Sequence, residues 1–190
     1  MTVAPSIKVR SATAEDAPAI FAIIDRCAAN GTVLPRNQED IGLTIASFVV
    51  GEVDGRMLAC AALVACGTSD AEIRSVAVDP ESRGTGLGRA VVEYVVSEAQ
   101  ALGVERLFLL TRLPGFFERV GFQVIDPEHL PDTFLADLVH VQQRSLFNKY
   151  VMTRSLLRMV GGRQESGTAQ HEEREAARER VAALAHRVAG

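Results

Sequence analysis

The chain has 190 residues, 47% of them hydrophobic and 23% charged, the balance of a soluble globular domain with enough apolar surface to bury a core. A net charge of −4 argues against a nucleic-acid-binding surface, no apolar run reaches the length of a membrane span, and the first ten residues lack the apolar core of a secretion signal. Cys27, Cys60 and Cys66 form an odd set without metal-ligand spacing, among Ala, Leu and Val; they read as small core residues of a protein kept reduced in the cytoplasm, with no metal.

Ile7-Lys8-Val9-Arg10 alternates apolar and polar and predicts an edge strand. Ser11 or Thr13 caps a helix with Glu15, Asp16 and Pro18 in its first turn. Ile20, Phe21, Ile23, Ile24 and Cys27 follow at helical spacing, and Asn30-Gly31 ends it. Leu34-Pro35-Arg36 belongs to a loop, and a short second helix starts at Asn37 or Gln38 and runs through Ile45. Residues 48–53 and 56–64 are the arms of a hairpin, because Asp54-Gly55 suits a type I′ turn between two apolar runs.

Glu72 to Arg89 is the stretch that the rest of the chain serves. Glu72 to Val78 has the pattern of a strand, and Asp79-Pro80-Glu81-Ser82 is turn chemistry. Arg83-Gly84-Thr85-Gly86-Leu87-Gly88 then opens a helix whose apolar period runs through Ala90, Val91, Val92, Tyr94, Val95 and Val96 to Gly103. Glycines leave backbone N–H groups uncovered at a helix N-terminus. Such amides, with the helix dipole behind them and Arg83 alongside, bind phosphate.

Residues 107–111 read as a buried strand broken by Leu113-Pro114; 115–120 form a short helix ending at Gly121, and 122–125 another strand. A helix-like segment over 131–139 precedes a last strand over 150–153. The predicted order is β-α-α-β-β-β-α-β-α-β-(α)-β. Residues 156–190 differ in kind: Gly161-Gly162 and Ser166-Gly167-Thr168 are linker chemistry, and 171–188 form a charge-laced helix with a thin stripe of Ala177, Val181, Leu184 and Val188. The expected division is a domain over 1–155 and a Gly-rich linker with a charged helical tail over 156–190. The tail is read as solvated or as docked on a partner subunit.

Arg-x-x-Gly-x-Gly after a strand ending Val-Ala-Val-Asp-Pro resembles the acyl-CoA pyrophosphate loop of the GNAT N-acetyltransferases. The resemblance narrows to the short form of the N-acetylglutamate synthases, which make the first intermediate of arginine biosynthesis. It rests on Leu34-Pro35-Arg36 before an acidic helix, on Ala71 to Val78, and on Leu109-Leu110-Thr111-Arg112 with Phe116 to Phe122 and Pro127 to Pro131. It covers about residues 7–154 and implies an α/β (α+β) fold with a mixed central sheet of splayed strands flanked by helices. A stand-alone acetyltransferase domain is expected, with no amino-acid kinase domain before it. Val141 to Lys149 departs from that branch in having no cysteine.

Acetyl-CoA is the implied co-substrate. By resemblance, the backbones of Val76, Ala77 and Val78 pair with its pantetheine arm. Its diphosphate rests on the amides of Arg83, Gly84, Thr85, Gly86, Leu87 and Gly88, with the Arg83 or Arg89 side chain nearby, and Thr111 stands near the thioester. The Val76 and Val78 side chains themselves are expected to be plain core. Glu72 is the implied general base, its other reading being a surface-end strand residue paired with Arg74 or a lysine.

Many relatives place a Tyr acid where this chain has Phe116-Phe117, so the thiolate is expected to leave largely unassisted or to be protonated by the amine itself. Arg36, Arg74 and Arg112, with Lys149 as a fourth, are the implied cations for the two carboxylates of an L-glutamate acceptor. Two other functions stay open: acetyl transfer to another amine or a protein N-terminus, and a non-catalytic CoA-binding module. The expected partner is a small-molecule amino acid, without nucleic acid or membrane; homodimers are common among proteins of this resemblance.

Overall fold

The structure, a computed structural model, describes residues 6–131, 134 and 148–157. Its strands are β1 (Ile7–Ser11), β2 (Phe48–Val53), β3 (Arg56–Ala65), β4 (Asp70–Val78), β5 (Arg106–Thr111), β6 (Gln123–Ile125) and β7 (Tyr150–Ser155). The helices are α1 (Ala17–Ala29), α2 (Gln38–Leu43), α3 (Leu87–Ala101) and α4 (Pro114–Glu118). The sheet order is β1-β2-β3-β4-β5-β7-β6. The sheet is mixed: β4 and β5 run parallel, whereas β1 with β2, β2 with β3, β5 with β7 and β6 with β7 are antiparallel. The expected helix over 131–139 lies outside the described residues except at Pro131 and Phe134, as does the tail beyond Leu157.

Two compact units share this chain. One holds the residues up to Leu63 together with Ile73–Ser97, and the other holds Val64–Glu72 together with the chain from Glu98. In the first unit, Asp54 and Gly55 both take positive φ, 49° and 79°, as a type I′ turn requires, and join β2 to β3. Alternation along these strands sorts their side chains by face. Phe48 and Val50 of β2, with Cys60 and Ala62 of β3 and Ala77 of β4, pack on the buried stripe of α1: Ala17, Ile20, Ile23, Ile24 and Cys27.

Gly51 turns the other way. A Cβ there would lie 2.6 Å from Val91 Cγ2 and 2.9 Å from Leu87 Cδ1, so this glycine lets α3 lie close on β2. Leu87, Val91, Val92, Val95, Val96 and Ala99 of α3 are buried at helical spacing. At the start of α1 the Asp16 carboxylate accepts from the Thr13 amide at 2.7 Å and hydroxyl at 3.1 Å. The predicted cap is therefore Thr13, one short 3₁₀ turn earlier than α1 itself.

In the second unit β7 inserts between β5 and β6, an order that the linear pattern does not disclose. Cys66, Phe108, Leu130, Phe134 and Val151 form its core cluster. Pro114 occupies the first turn of α4, where a missing N–H costs nothing, and Phe117 meets Phe116 and Phe122 edge to face.

Candidate active site

The phosphate-loop candidate is built from the strand end outward. The Asp79 amide donates to the Leu58 carbonyl at 2.8 Å, which anchors the end of β4 to β3. The Asp79 side chain then accepts from the Glu81 amide at 3.1 Å and caps the single 3₁₀ turn Pro80–Ser82. Gly84 and Gly86 follow with φ of 82° and 89°, in the left-handed region, with open space where a Cβ would be. Between them the Thr85 hydroxyl donates to the Ser82 carbonyl at 2.7 Å and accepts from the Leu87 amide at 3.4 Å, so Thr85 shapes the loop. The first bond of the helix runs from the Ala90 amide to the Gly86 carbonyl at 3.0 Å.

Among the described residues the amides of Gly84, Thr85, Gly86, Gly88 and Arg89 have no intrachain acceptor. They form an exposed cluster of donors at the positive end of the fifteen-residue α3. The Arg83 side chain is exposed beside it, and that of Arg89 reaches Glu93 at 3.6 Å one helical turn on. The residues present fit a diphosphate.

Glu72 lies in the other unit, third in β4 and opposite Phe108 of β5. Its side chain is fully buried and is not without a partner, so the reading of Glu72 as a surface-end strand residue is corrected. The strand starts two residues earlier than the pattern indicated, which moves Glu72 inward. The parallel register pairs Asp70, Ala71 and Glu72 with Arg106, Leu107 and Phe108, while β4 continues to Val78 and β5 to Thr111. Thr111, at the end of β5, is buried, and its hydroxyl accepts from the Leu113 amide at 2.9 Å.

Ser75 takes a left-handed φ of 51°, a conformation that a non-glycine residue adopts only under constraint from its surroundings. A single serine inside a strand pattern does not mark this conformation, so the linear pattern misses it. Beyond it Ala77 is buried, but Val76 and Val78 are half-buried, which corrects their assignment to plain core. Two thiols hold the carbonyls of this segment: Cys60 Sγ donates to Ser75 at 3.7 Å and Cys27 Sγ to Val78 at 3.3 Å. Burial pushes the Cys60 thiol up to about 12, so it stays protonated and able to donate. All three cysteines are buried and free, as their apolar neighbours indicated.

Of the four candidate cations, Arg36 is the best defined. Its guanidinium sits 5.5 Å above the Phe48 ring and donates to the Thr44 hydroxyl at 3.4 Å. Arg74 is half-buried in β4 within the same unit. Arg112 follows β5 exposed, and Lys149 precedes β7 half-buried, both in the other unit. Each of the four makes polar interactions within the chain. Among the described residues no cluster of three or more His, Cys, Asp or Glu is placed to hold a metal, and no helix is long and apolar enough to cross a membrane.

The model of the Acetyltransferase (GNAT) family matches residues 19–122, more than half of the chain. An uncharacterized N-acetyltransferase of Chlorobaculum tepidum is 34% identical over 148 residues, which are 78% of this chain and 96% of that protein. The amino-acid acetyltransferase of Azotobacter vinelandii is 35% identical over 144 residues, 75% of this chain; the chain spans only 33% of that relative. Among solved structures, N-acetylglutamate synthase from Neisseria gonorrhoeae, complexed with coenzyme A and N-acetyl-glutamate, superposes with a TM-score of 0.71 at 30% identity, over 80% of this chain and 36% of that one. A Mycobacterium tuberculosis protein in complex with CoA and NLQ gives 0.68 at 31% identity, over 79% and 99%. With the glycine-built loop and the mixed sheet in place, these likenesses lead to one conclusion: the chain belongs to the GNAT family of acetyltransferases, enzymes that take their acetyl group from acetyl-CoA.

Proposed function

We propose that the chain transfers the acetyl group of acetyl-CoA to the α-amino group of an amino acid, with L-glutamate the preferred acceptor. The observation that carries the reading is the row of uncovered amides from Gly84 to Arg89 at the start of α3. Five neighbouring donors without an intrachain acceptor suit a diphosphate, and the open space beside Gly84 and Gly86 lets its oxygens approach the backbone. Glutamate is favoured by the likeness to the synthase complexed with N-acetyl-glutamate and to the amino-acid acetyltransferases. The chain matches about a third of those relatives' length, so the likeness concerns only part of each.

Acetyl-CoA supplies an acyl carbon on a good leaving group: the C–N bond forms as the C–S bond breaks, and a thiol is released. The protein must present a neutral amine. Glu72, buried in β4, is the proposed acceptor of the ammonium proton, directly or through one water. The backbones of Val76, Ala77 and Val78 are the proposed guide for the pantetheine arm, and Thr111 the proposed neighbour of the thioester. With Phe116 and Phe117 at the position of the expected tyrosine acid, the departing thiolate is proposed to leave largely unassisted or to take its proton from the reacting amine. Arg36, Arg74, Arg112 and Lys149 are the proposed ligands for the acceptor carboxylates; the Arg36 guanidinium lies 5.5 Å from the Phe48 ring centroid.

The test is release of free thiol from acetyl-CoA on adding glutamate, set against a panel of other amino acids, polyamines and peptide N-termini. The reading expects the largest kcat/KM with glutamate. Release with a polyamine or peptide but not glutamate would replace the acceptor, and CoA binding without any release would replace the enzyme by a binding module.

A further inference from the structure

The loop proposed to hold the diphosphate does not keep its shape from its own glycines. Gly84 and Gly86 are conformationally permissive and their flanks are open, so nothing at those positions fixes where the amides point. What fixes the entry to the loop is Asp79. Its amide is bonded to Leu58 of β3 at 2.8 Å, one carboxylate oxygen accepts from the Glu81 amide at 3.1 Å, and the other meets the Arg26 guanidinium at 2.7 Å. Arg26 stands in the last turn of α1, and the next residue, Cys27, donates its thiol to the Val78 carbonyl at 3.3 Å. Two successive residues of α1 therefore grip two successive residues of the β4 end, immediately before the turn that leads into the loop.

We infer that Arg26 is a positioning residue for acetyl-CoA: it acts through Asp79 to hold the Pro80–Ser82 turn, and with it the amides of Gly84 to Arg89, in the arrangement that receives the diphosphate. The inference rests on the proposed use of that loop. Arg26 touches no reacting atom in this scheme, so its loss leaves the chemical step and the acceptor alone. The Asp79 side chain is mostly buried and the Arg26 side chain half exposed, so the pair is shielded on one side only. Its strength is that of a partly exposed pair, and removing it changes affinity by a modest factor. Because the contact is a single N–O pair, a lysine of similar reach satisfies it.

The experiment measures acetyl-CoA affinity by calorimetry, and KM and kcat by thiol release, for the whole chain and for Arg26→Ala, Arg26→Lys, Asp79→Ala and the double alanine variant. Arg26→Ala is expected to weaken acetyl-CoA roughly two- to fivefold with kcat and acceptor KM unchanged. Arg26→Lys recovers most of that loss. Asp79→Ala, which also removes the turn cap, weakens binding roughly tenfold. The double variant matches Asp79→Ala alone, because Arg26 has no other route to the loop. Equal affinity of Arg26→Ala and the parent chain overturns the inference, as does a double variant whose losses add. Thermal unfolding of each variant separates loop displacement from general destabilisation: a drop in kcat and melting temperature together without a rise in acetyl-CoA KM also overturns it. Failure of the underlying reading looks different, since the parent chain itself would then show no affinity for acetyl-CoA.

Discussion

Glu72 has no exposed surface, and it sits in the strand that leads to the proposed phosphate loop. Glu72→Gln keeps the shape and removes the basic oxygen, so kcat is expected to fall by about 10²- to 10⁴-fold while the calorimetric affinity for acetyl-CoA stays within a factor of two or so. A variant with near-parental kcat would remove Glu72 from the mechanism. Arg36→Ala takes away a proposed ligand for the acceptor carboxylates whose guanidinium lies over the Phe48 ring. The acceptor KM is expected to rise about tenfold or more, with acetyl-CoA binding near normal; weaker acetyl-CoA binding instead would mean that Arg36 serves the other substrate.

Asp16 gives a pH prediction. The Arg10 guanidinium, at 2.7 Å and 3.0 Å, and the Thr13 donors hold its carboxyl at about 2, below the usual 3.8, against the effect of burial. A group depressed in the folded state stabilises the fold above its unfolded value and loses that contribution as pH falls from about 4 toward 2. Arg10 also bonds Glu52, so Arg10→Ala is expected to lower the melting temperature at pH 7, with a difference on the order of 1 kcal/mol that shrinks below pH 4. A constant difference down to pH 2 would contradict this. The glycines and the arginines at the loops were readable from residue type alone. The left-handed Ser75, the thiols that hold its segment and the Arg26–Asp79 pair were not, since each depends on residues far apart in sequence.

The elements follow from local chemistry to within a residue or two. Asn37 caps α2 by accepting from the Asp40 amide at 2.6 Å, Pro114 opens α4, and Gly121, at a φ of 82°, closes the turn after it. Strand β4 starts two residues before the sequence pattern indicates, because Asp70 looks like turn chemistry; in the fold its buried carboxylate receives the half-exposed Arg106 guanidinium at 2.8 Å and 2.9 Å. Gly51 shows what pattern alone cannot tell: a glycine inside an apolar strand signals either a bulge or a close neighbour, and here both occur, since the β2–β3 register shifts between Gly51 and Glu52. Gly51→Ala forces its new methyl into Val91 and Leu87, and is expected to cost about 1–3 kcal/mol in chemical denaturation. An unchanged midpoint would mean that α3 shifts on β2 without penalty.

For the molecule as a whole, the order of strands and helices was legible because each has its own period and punctuation. The position of β7 between β5 and β6 was not, because pairing partners are chosen by the assembled sheet and not by the strand itself. The acceptor is legible only through likeness, since single arginines have the same local signature whether they bind substrate or solvent. The proposed cofactor loop is the part on which the functional account stands, and it has a direct test: a crystal structure of the chain grown with coenzyme A. The account predicts the diphosphate within hydrogen-bond distance of the amides between Gly84 and Arg89. Phosphates lodged away from that loop, with those amides left facing solvent, would contradict it.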